Sequence, residues 1–304
     1  MGRKEMQNPL TPLDENFGTM QNAQRTISHR LAMCNIFSDV DKLREFAVDH
    51  GFSGIDWSFD VRTLPDTPAE ESKWVKDMSA LRPLEVRYHC PFYQIDLGHH
   101  DPWEAKTAEA IFRRIIRLVS KVEGRYLTIH IGLGHDSTEP LSWEASIENL
   151  ARLVQYGGTR NVKVCLENLA RGWTSRPNLF EKLIRGSGAA VTFDIGHAHA
   201  CESVRSHHYA PEDFVTPHSD RVFNAHIYHT EVSGLGHIPP DRLEDIEDRL
   251  AILQNIGCDW WVAEVREVNG LLQTKRIIDE YLTGSDYHGQ SDGTVTTLTS
   301  HTYA

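Results

Sequence analysis

The stretches VKVCLEN (162–168) and AAVTFDIG (189–196) decide how this chain is read. Each is a short, nearly continuous apolar run, as expected of a parallel strand covered on both faces. Each also ends on an acidic residue, Glu167 in the first and Asp194 in the second. Six other runs are likewise short and mostly apolar: RLAMCNIF (30–37), GIDWS (54–58), LEVRYHC (84–90), YLTIHIG (126–132), VFNAHIY (222–228) and WWVAEVRE (260–267). Between them, DVDKLREFAVDH (39–50), PWEAKTAEAIFRRIIRLVSKV (102–122), SWEASIENLARLVQYG (142–157) and LEDIEDRLAILQNIG (243–257) repeat apolar residues at helical spacing. Ser38 or Asp39 and Ser142 are the expected N-caps, and glycines 51, 124, 157 and 257 the expected C-terminal stops.

Strict β-α alternation over eight strands builds either an open doubly wound sheet or a closed barrel. A dinucleotide-binding sheet would carry GxGxxG after its first strand, and no such motif is present. The expected fold is therefore α/β, a closed (β/α)8 barrel over residues 28–283 as a single domain. Polar extensions, 1–27 and 284–304, flank it.

Bulk properties narrow the function classes. The net charge of −12, from 31 basic and 43 acidic residues, argues against a dedicated nucleic-acid binder. Five scattered cysteines without CxxC spacing fit a reduced, cytoplasmic setting. No apolar run approaches the roughly 20 residues needed to span a bilayer, and the N-terminal residues lack the apolar core of a secretion signal. The glycine after Met1 is not followed at the myristoylation position by Ser or Thr, because Met6 stands there.

Most strand runs carry an ionisable residue near their C-terminal end: His89, His130, Glu167, Asp194, His226 and Glu264. In a barrel those ends converge on one mouth, where active sites are built. Burying so many charges together is costly without a cation or a hydrogen-bond network. Glu167, Asp194, His226 and Glu264 are ordinary ligands for one divalent metal ion: Mn, Co, Zn, Fe or Mg. Trp57, Tyr93 and Trp173, on loops after strands, are candidate sugar-stacking surfaces. Asp56 is a candidate for orienting a ligand or substrate. Trp260 and Trp261, at the strand end away from the mouth, are read as packing, Arg171 and Arg176 as a solvated loop face, and His207 and His208 as surface residues.

The motifs CLEN with Glu167, TFDIGHAH with Asp194 and His197, NAHIYH with His226 and VAEVRE with Glu264 together resemble the xylose-isomerase-like TIM-barrel superfamily. YHCPF with His89 and TIHIGLG with His130 fit it as well, and the resemblance spans residues 30 to 282. In the tagatose-epimerase-like branch, the matching Glu, Asp, His and Glu hold one divalent metal, and the two glutamates move the substrate proton. The resemblance thus implies a metal-dependent sugar isomerase or epimerase, with Glu167 and Glu264 catalytic. It implies His197, and with it His89 and His130, as substrate contacts. The implied partner is a sugar or polyhydroxy carbonyl compound rather than nucleic acid or membrane, with pairing into a homodimer an open expectation. A lyase or dehydratase would use the same proton abstraction. The endonuclease-IV-like branch holds a three-metal cluster, adding histidines that His89, His130 and His197 resemble and an Asp-x-His pair after strand seven; the histidines are present, but His229, Glu231 and His237 stand without that spacing, which favours a single ion. A non-catalytic binding protein would be favoured only by an apolar or cationic residue at one of the four ligand positions.

Overall fold

The computed structural model describes residues 29–288. The first extension, and the last beyond His288, lie outside the described residues. Eight parallel strands form a closed barrel: β1 (Arg30–Cys34), β2 (Gly54–Ser58), β3 (Glu85–Cys90), β4 (Tyr126–Ile129), β5 (Lys163–Glu167), β6 (Ala190–Asp194), β7 (Val222–Ile227) and β10 (Trp260–Ala263). Closure comes from β1, which pairs with both β2 and β10. A two-stranded antiparallel hairpin, β8 (Thr230–Val232) and β9 (Gly236–Ile238), follows β7. The helices are α1 (Val40–Asp49), α2 (Pro68–Ala80), α3 (Pro102–Lys121), α4 (Trp143–Gly158), α5 (Pro177–Ser187), α6 (Ile195–Ala200), α7 (Glu202–Arg205), α8 (Glu247–Asn255) and α9 (Val268–His288).

The expected strands are all present, most of them shorter at their C-terminal ends. His130 and Glu264 each sit one residue past the strand that carries them. Asp39 caps α1 by accepting from the Lys42 amide, and Ser142 caps α4 by accepting from Ala145. Gly51 and Gly257 adopt the left-handed conformation just after their helices. Gly157 does not stop α4. It lies inside the helix, where a Cβ would come within 2.5 Å of the Val162 carbonyl, and the left-handed turn falls to Asn161 instead. Likewise Glu123, not Gly124, takes the positive φ after α3.

Strand alternation divides the molecule into two cores. Outward residues such as Ile55, Leu127, Leu166, Phe193, Ile227 and Trp261 join the helices in one large apolar cluster. Inward residues are mostly polar. The hydroxyls of Thr128 on β4 and Thr192 on β6 are 2.7 Å apart across the barrel, and Asn224 on β7 donates to Thr192 at 3.1 Å. Arg87 on β3 donates to Asn224 Oδ1 at 2.6 Å, its guanidinium lying between the rings of Trp260 and Tyr126. This satisfied network floors the barrel beneath its mouth. Trp260 and Trp261 are both fully buried packing residues, as their place in the strand implies. All five cysteines are buried and none forms a disulfide. No helix among the described residues is long and apolar enough to cross a membrane.

Two measurements probe the apolar layer where α5 meets the segment before β7. Phe180 is fully buried edge-on to Phe214 and His218. Phe180→Ala should destabilise by about 3–5 kcal/mol, read as a lowered denaturation midpoint. The buried His218 ring bonds the Phe214 carbonyl at 2.7 Å, yet burial holds its pKa below the usual 6.5. Folding thus favours the neutral ring, so its contribution is present above pH 6.5 and fades as pH falls. The stability gap between the native protein and His218→Phe should narrow below pH 6.5 in melts across a pH series.

Candidate metal centre

The strand register brings the C-terminal ends together, and with them the ionisable groups. Glu167 ends β5, Asp194 ends β6, His226 lies near the end of β7, and Glu264 follows β10. One ligand atom from each of these four lies within 4.8 Å of all the others, and all four residues are buried. His226 Nδ1 stands 3.2 Å from Glu167 Oε1 and 3.0 Å from Glu264 Oε2. The β5 and β6 ends are pinned by Asn168, which donates to the Asp194 carbonyl and accepts from the Asp194 amide, both at 2.8 Å. Asp194 Oδ1 caps α6 by accepting from the His197 amide at 2.6 Å. The centre is therefore held by backbone as well as side chains.

Three further sets adjoin it: one is Asp56, His89 and His226, and two lie towards the cavity described below. His89, His130 and Glu167 form one, with His130 Nε2 3.1 Å and His89 Nε2 3.4 Å from Glu167 Oε2. His197, Glu231 and His237 form the other. Glu231 on β8 and His237 on β9 face each other across the hairpin. The register of an antiparallel pair thus makes neighbours of two residues that lack Asp-x-His spacing in sequence. His237 is set by an Nδ1 bond to the Glu264 carbonyl at 2.8 Å and by flat stacking on Tyr228, ring centroids 3.9 Å apart. Tyr228 in turn packs where Gly196 leaves room; a Cβ there would stand 2.1 Å from its ring.

Burial opposes charge at Glu167, Asp194, His226 and Glu264. At Glu167 it is outweighed by His226 and His130, which hold the carboxyl well below its usual range. Glu264 is likewise lowered, burial being overcome by His226 and His237. His226, which burial alone would push towards neutrality, is held well above 6.5 by Glu167 and Glu264. Asp194 moves the other way: burial dominates, His197 offsets it in part, and the charges of Glu167 and Glu264 reinforce it. The surroundings thus favour a proton at His226 and at Asp194, and a cation held there would compete with both.

The donors also fit a cation by what they lack. Glu167 Oε2, Asp194 Oδ2 and Glu264 Oε2 are buried and accept no hydrogen bond, a costly state for a carboxylate oxygen unless something else satisfies it. Carboxylate oxygens and imidazole nitrogens in this number suit Mn, Co, Zn, Fe or Mg. A cavity of about 410 Å³ opens onto the centre, lined by His89, His130, Glu167, His197, His237 and Glu264, among others, with Tyr93, Leu235 and Arg266 at its rim. The larger groove, about 1390 Å³, lies at the opposite barrel end and contains none of these groups.

Of the aromatic candidates, only Tyr93 reaches this cavity. Trp57 alternates with the inward Asp56 and so packs against the helix layer. Trp173 meets Trp143 edge-on and lines an adjoining groove with Arg171 and Arg176. Sequence reasoning did not assign Arg266, Glu231 or His237 to the site, and only the hairpin's Gly234 and Gly236 hinted at the pairing.

Comparison with known proteins agrees with this architecture. A relative from Methanocaldococcus jannaschii, the protein MJ0008, is 30% identical over 198 residues, covering 65% of this chain and 80% of its own. Among solved structures, a D-tagatose 3-epimerase-like protein superposes with a TM-score of 0.64 at 17% identity, covering 86% of this chain and 99% of its own. Endonuclease IV from Thermus thermophilus does so at 0.62 and 17%, covering 84% and 99%. The probable 3-DHS dehydratase AsbF from Bacillus anthracis gives 0.62 at 12%, covering 82% and 98%. With residues 44–282 matching the family described as xylose isomerase-like TIM barrel, the chain belongs to that family.

Proposed function

We propose that this protein is a divalent-metal-dependent isomerase or epimerase acting on a sugar or similar hydroxy-carbonyl compound. The observation that carries this reading is the placing of Glu167 and Glu264, two ionised carboxylates that flank His226 from β5 and β10 and line one cavity. A divalent ion held by Glu167, Asp194, His226 and Glu264 would polarise a substrate carbonyl and acidify the neighbouring C–H. One glutamate removes that proton and the other returns it, to the adjacent carbon or to the opposite face. His197 donates its Nδ1 proton to the Asn168 carbonyl at 2.9 Å, which leaves Nε2 for a substrate oxygen. His89 and His130 border the same cavity as further substrate contacts, and Tyr93 offers a stacking face at its rim. The acidic chain, at −12, suits a small substrate better than nucleic acid.

The sets His89–His130–Glu167 and His197–Glu231–His237 favour a second reading, hydrolysis of a phosphate ester at a site holding more than one ion. The two readings separate in one experiment. Metal-loaded protein incubated with a panel of ketoses in deuterated water should place deuterium on the carbon next to the carbonyl. An unsaturated product would mark the dehydratase variant of the same chemistry, and cleavage of abasic DNA without deuterium uptake would replace this reading with the second.

Glu167→Gln and Glu264→Gln should each lower turnover about 10²–10⁴-fold, the usual contribution of a positioned acid or base. Metal dependence is checked without any substrate. Protein stripped by chelator and then given Mn, Co or Zn at about 100 times its dissociation constant should gain about 2.7 kcal/mol, seen as a raised melting temperature. An unchanged melting temperature with all three would remove the metal from the proposal.

A further inference from the structure

Asp56 lies on β2, is 1% exposed, and has no hydrogen-bond partner at either carboxylate oxygen. Two other unpartnered buried atoms face it. His89 Nδ1 is 3.5 Å and His226 Nε2 3.8 Å from Asp56 Oδ2, and His89 Nδ1 is also 3.5 Å from Glu264 Oε1, so that Asp56 is the one carboxylate that faces both nitrogens. These are the ring nitrogens turned away from the Glu167 carboxylate. On the other side of each ring, His89 Nε2 faces Glu167 at 3.4 Å and His226 Nδ1 faces Glu167 and Glu264. Four orphaned polar atoms in one buried place, two of them acceptors and two able to donate, form an incomplete hydrogen-bonded unit. A closure of less than 1 Å completes it within ordinary N–H···O lengths.

From this geometry we infer that Asp56 is a positioning residue that fixes the tautomers of His89 and His226 together. Accepting from His89 Nδ1–H and His226 Nε2–H, it leaves the lone pairs of His89 Nε2 and His226 Nδ1 aimed into the two sets that share Glu167. A carboxylate behind a ligating imidazole also raises its basicity and holds its ring orientation. Asp56 touches neither cavity nor substrate, and acts through the two histidines alone. The inference rests on the metal-centre reading above and goes beyond it, because it assigns one carboxylate to two rings in different sets.

The test compares native full-length protein with Asp56→Asn and Asp56→Ala. Metal-free melting temperatures come first. At 3.5 and 3.8 Å the Asp56 oxygens are beyond hydrogen-bond length of both rings before the unit closes, so the near-isosteric Asp56→Asn should melt no lower than native, whereas a structural role would lower it. Titration with Co(II) should then show affinity weakened about 10–100-fold in each variant, the usual effect of losing such a partner. In the Co(II)-loaded native protein, an exchangeable, hyperfine-shifted N–H proton of His226 should be protected from solvent, and Asp56→Asn should shift or lose it. Unchanged affinity and an unchanged N–H resonance would overturn the inference while leaving the metal centre standing. Loss of a whole equivalent of bound cobalt would overturn it too, by making Asp56 a ligand. Native protein that binds no cobalt would remove both this inference and the reading beneath it.

Discussion

Burial of like charges at one end of a closed barrel is the constraint on which the rest of this molecule depends. Asp56, Glu167, Asp194 and Glu264 are all under one-tenth exposed and lie among one another. Taking each such group out of water costs several kcal/mol even after relaxation. The imidazoles of His89, His130, His197 and His226 stand between the carboxylates, and the charges of Glu167 and Glu264 raise the pKa of His226 despite complete burial. What remains is the set of carboxylate oxygens with nothing to accept from.

A barrel can tolerate this because its stability is generated elsewhere. The large apolar cluster lies between strands and helices, and the inward faces contribute little apolar surface beyond Ala32, Val262 and Trp260. Immediately under the mouth, Arg87, Asn224, Thr128 and Thr192 satisfy one another. Such a floor is rigid and polar, and it separates the charged layer from the packing below. The division lets the mouth be arranged for chemistry without loosening the shell.

The same division explains what could be read from sequence. Apolar runs ending in acid or histidine revealed the barrel and six of the residues at its mouth, because strand direction alone sends those ends to one place. Run lengths overreached, since Ile131 and Val265 continue the apolar signal after the ladder has ended. Parity was legible but unused: with Asp56 inward, Trp57 had to face the helices. Gly157 looked like a stop because a glycine serving close approach and one serving a left-handed turn read alike in sequence. The least legible part was the hairpin. Glu231 and His237 are six positions apart, and only an antiparallel register with a glycine-flanked turn makes them neighbours. Short strands that pair locally leave no periodicity long enough to detect.

The sharing of Glu167 between two sets ties the chemistry to occupancy. Its Oε1 faces His226, and its Oε2 faces His89 and His130. A carboxylate oxygen that faces a cation is a weaker base than one that does not. In the proposed isomerase, with the Asp194–His226–Glu264 side alone engaged, Oε2 would stay available and Glu167 could act as a base opposite Glu264. With the histidine side engaged as well, both oxygens are committed, and Glu167 becomes a bridge. Proton transfer would then fall to Glu264 alone, and a two-base exchange would be lost, while a hydrolytic site would gain the second cation it needs. One residue's lone pairs thus separate the two chemistries, and Asp56, placed behind one histidine of each set, stands where that balance can be set.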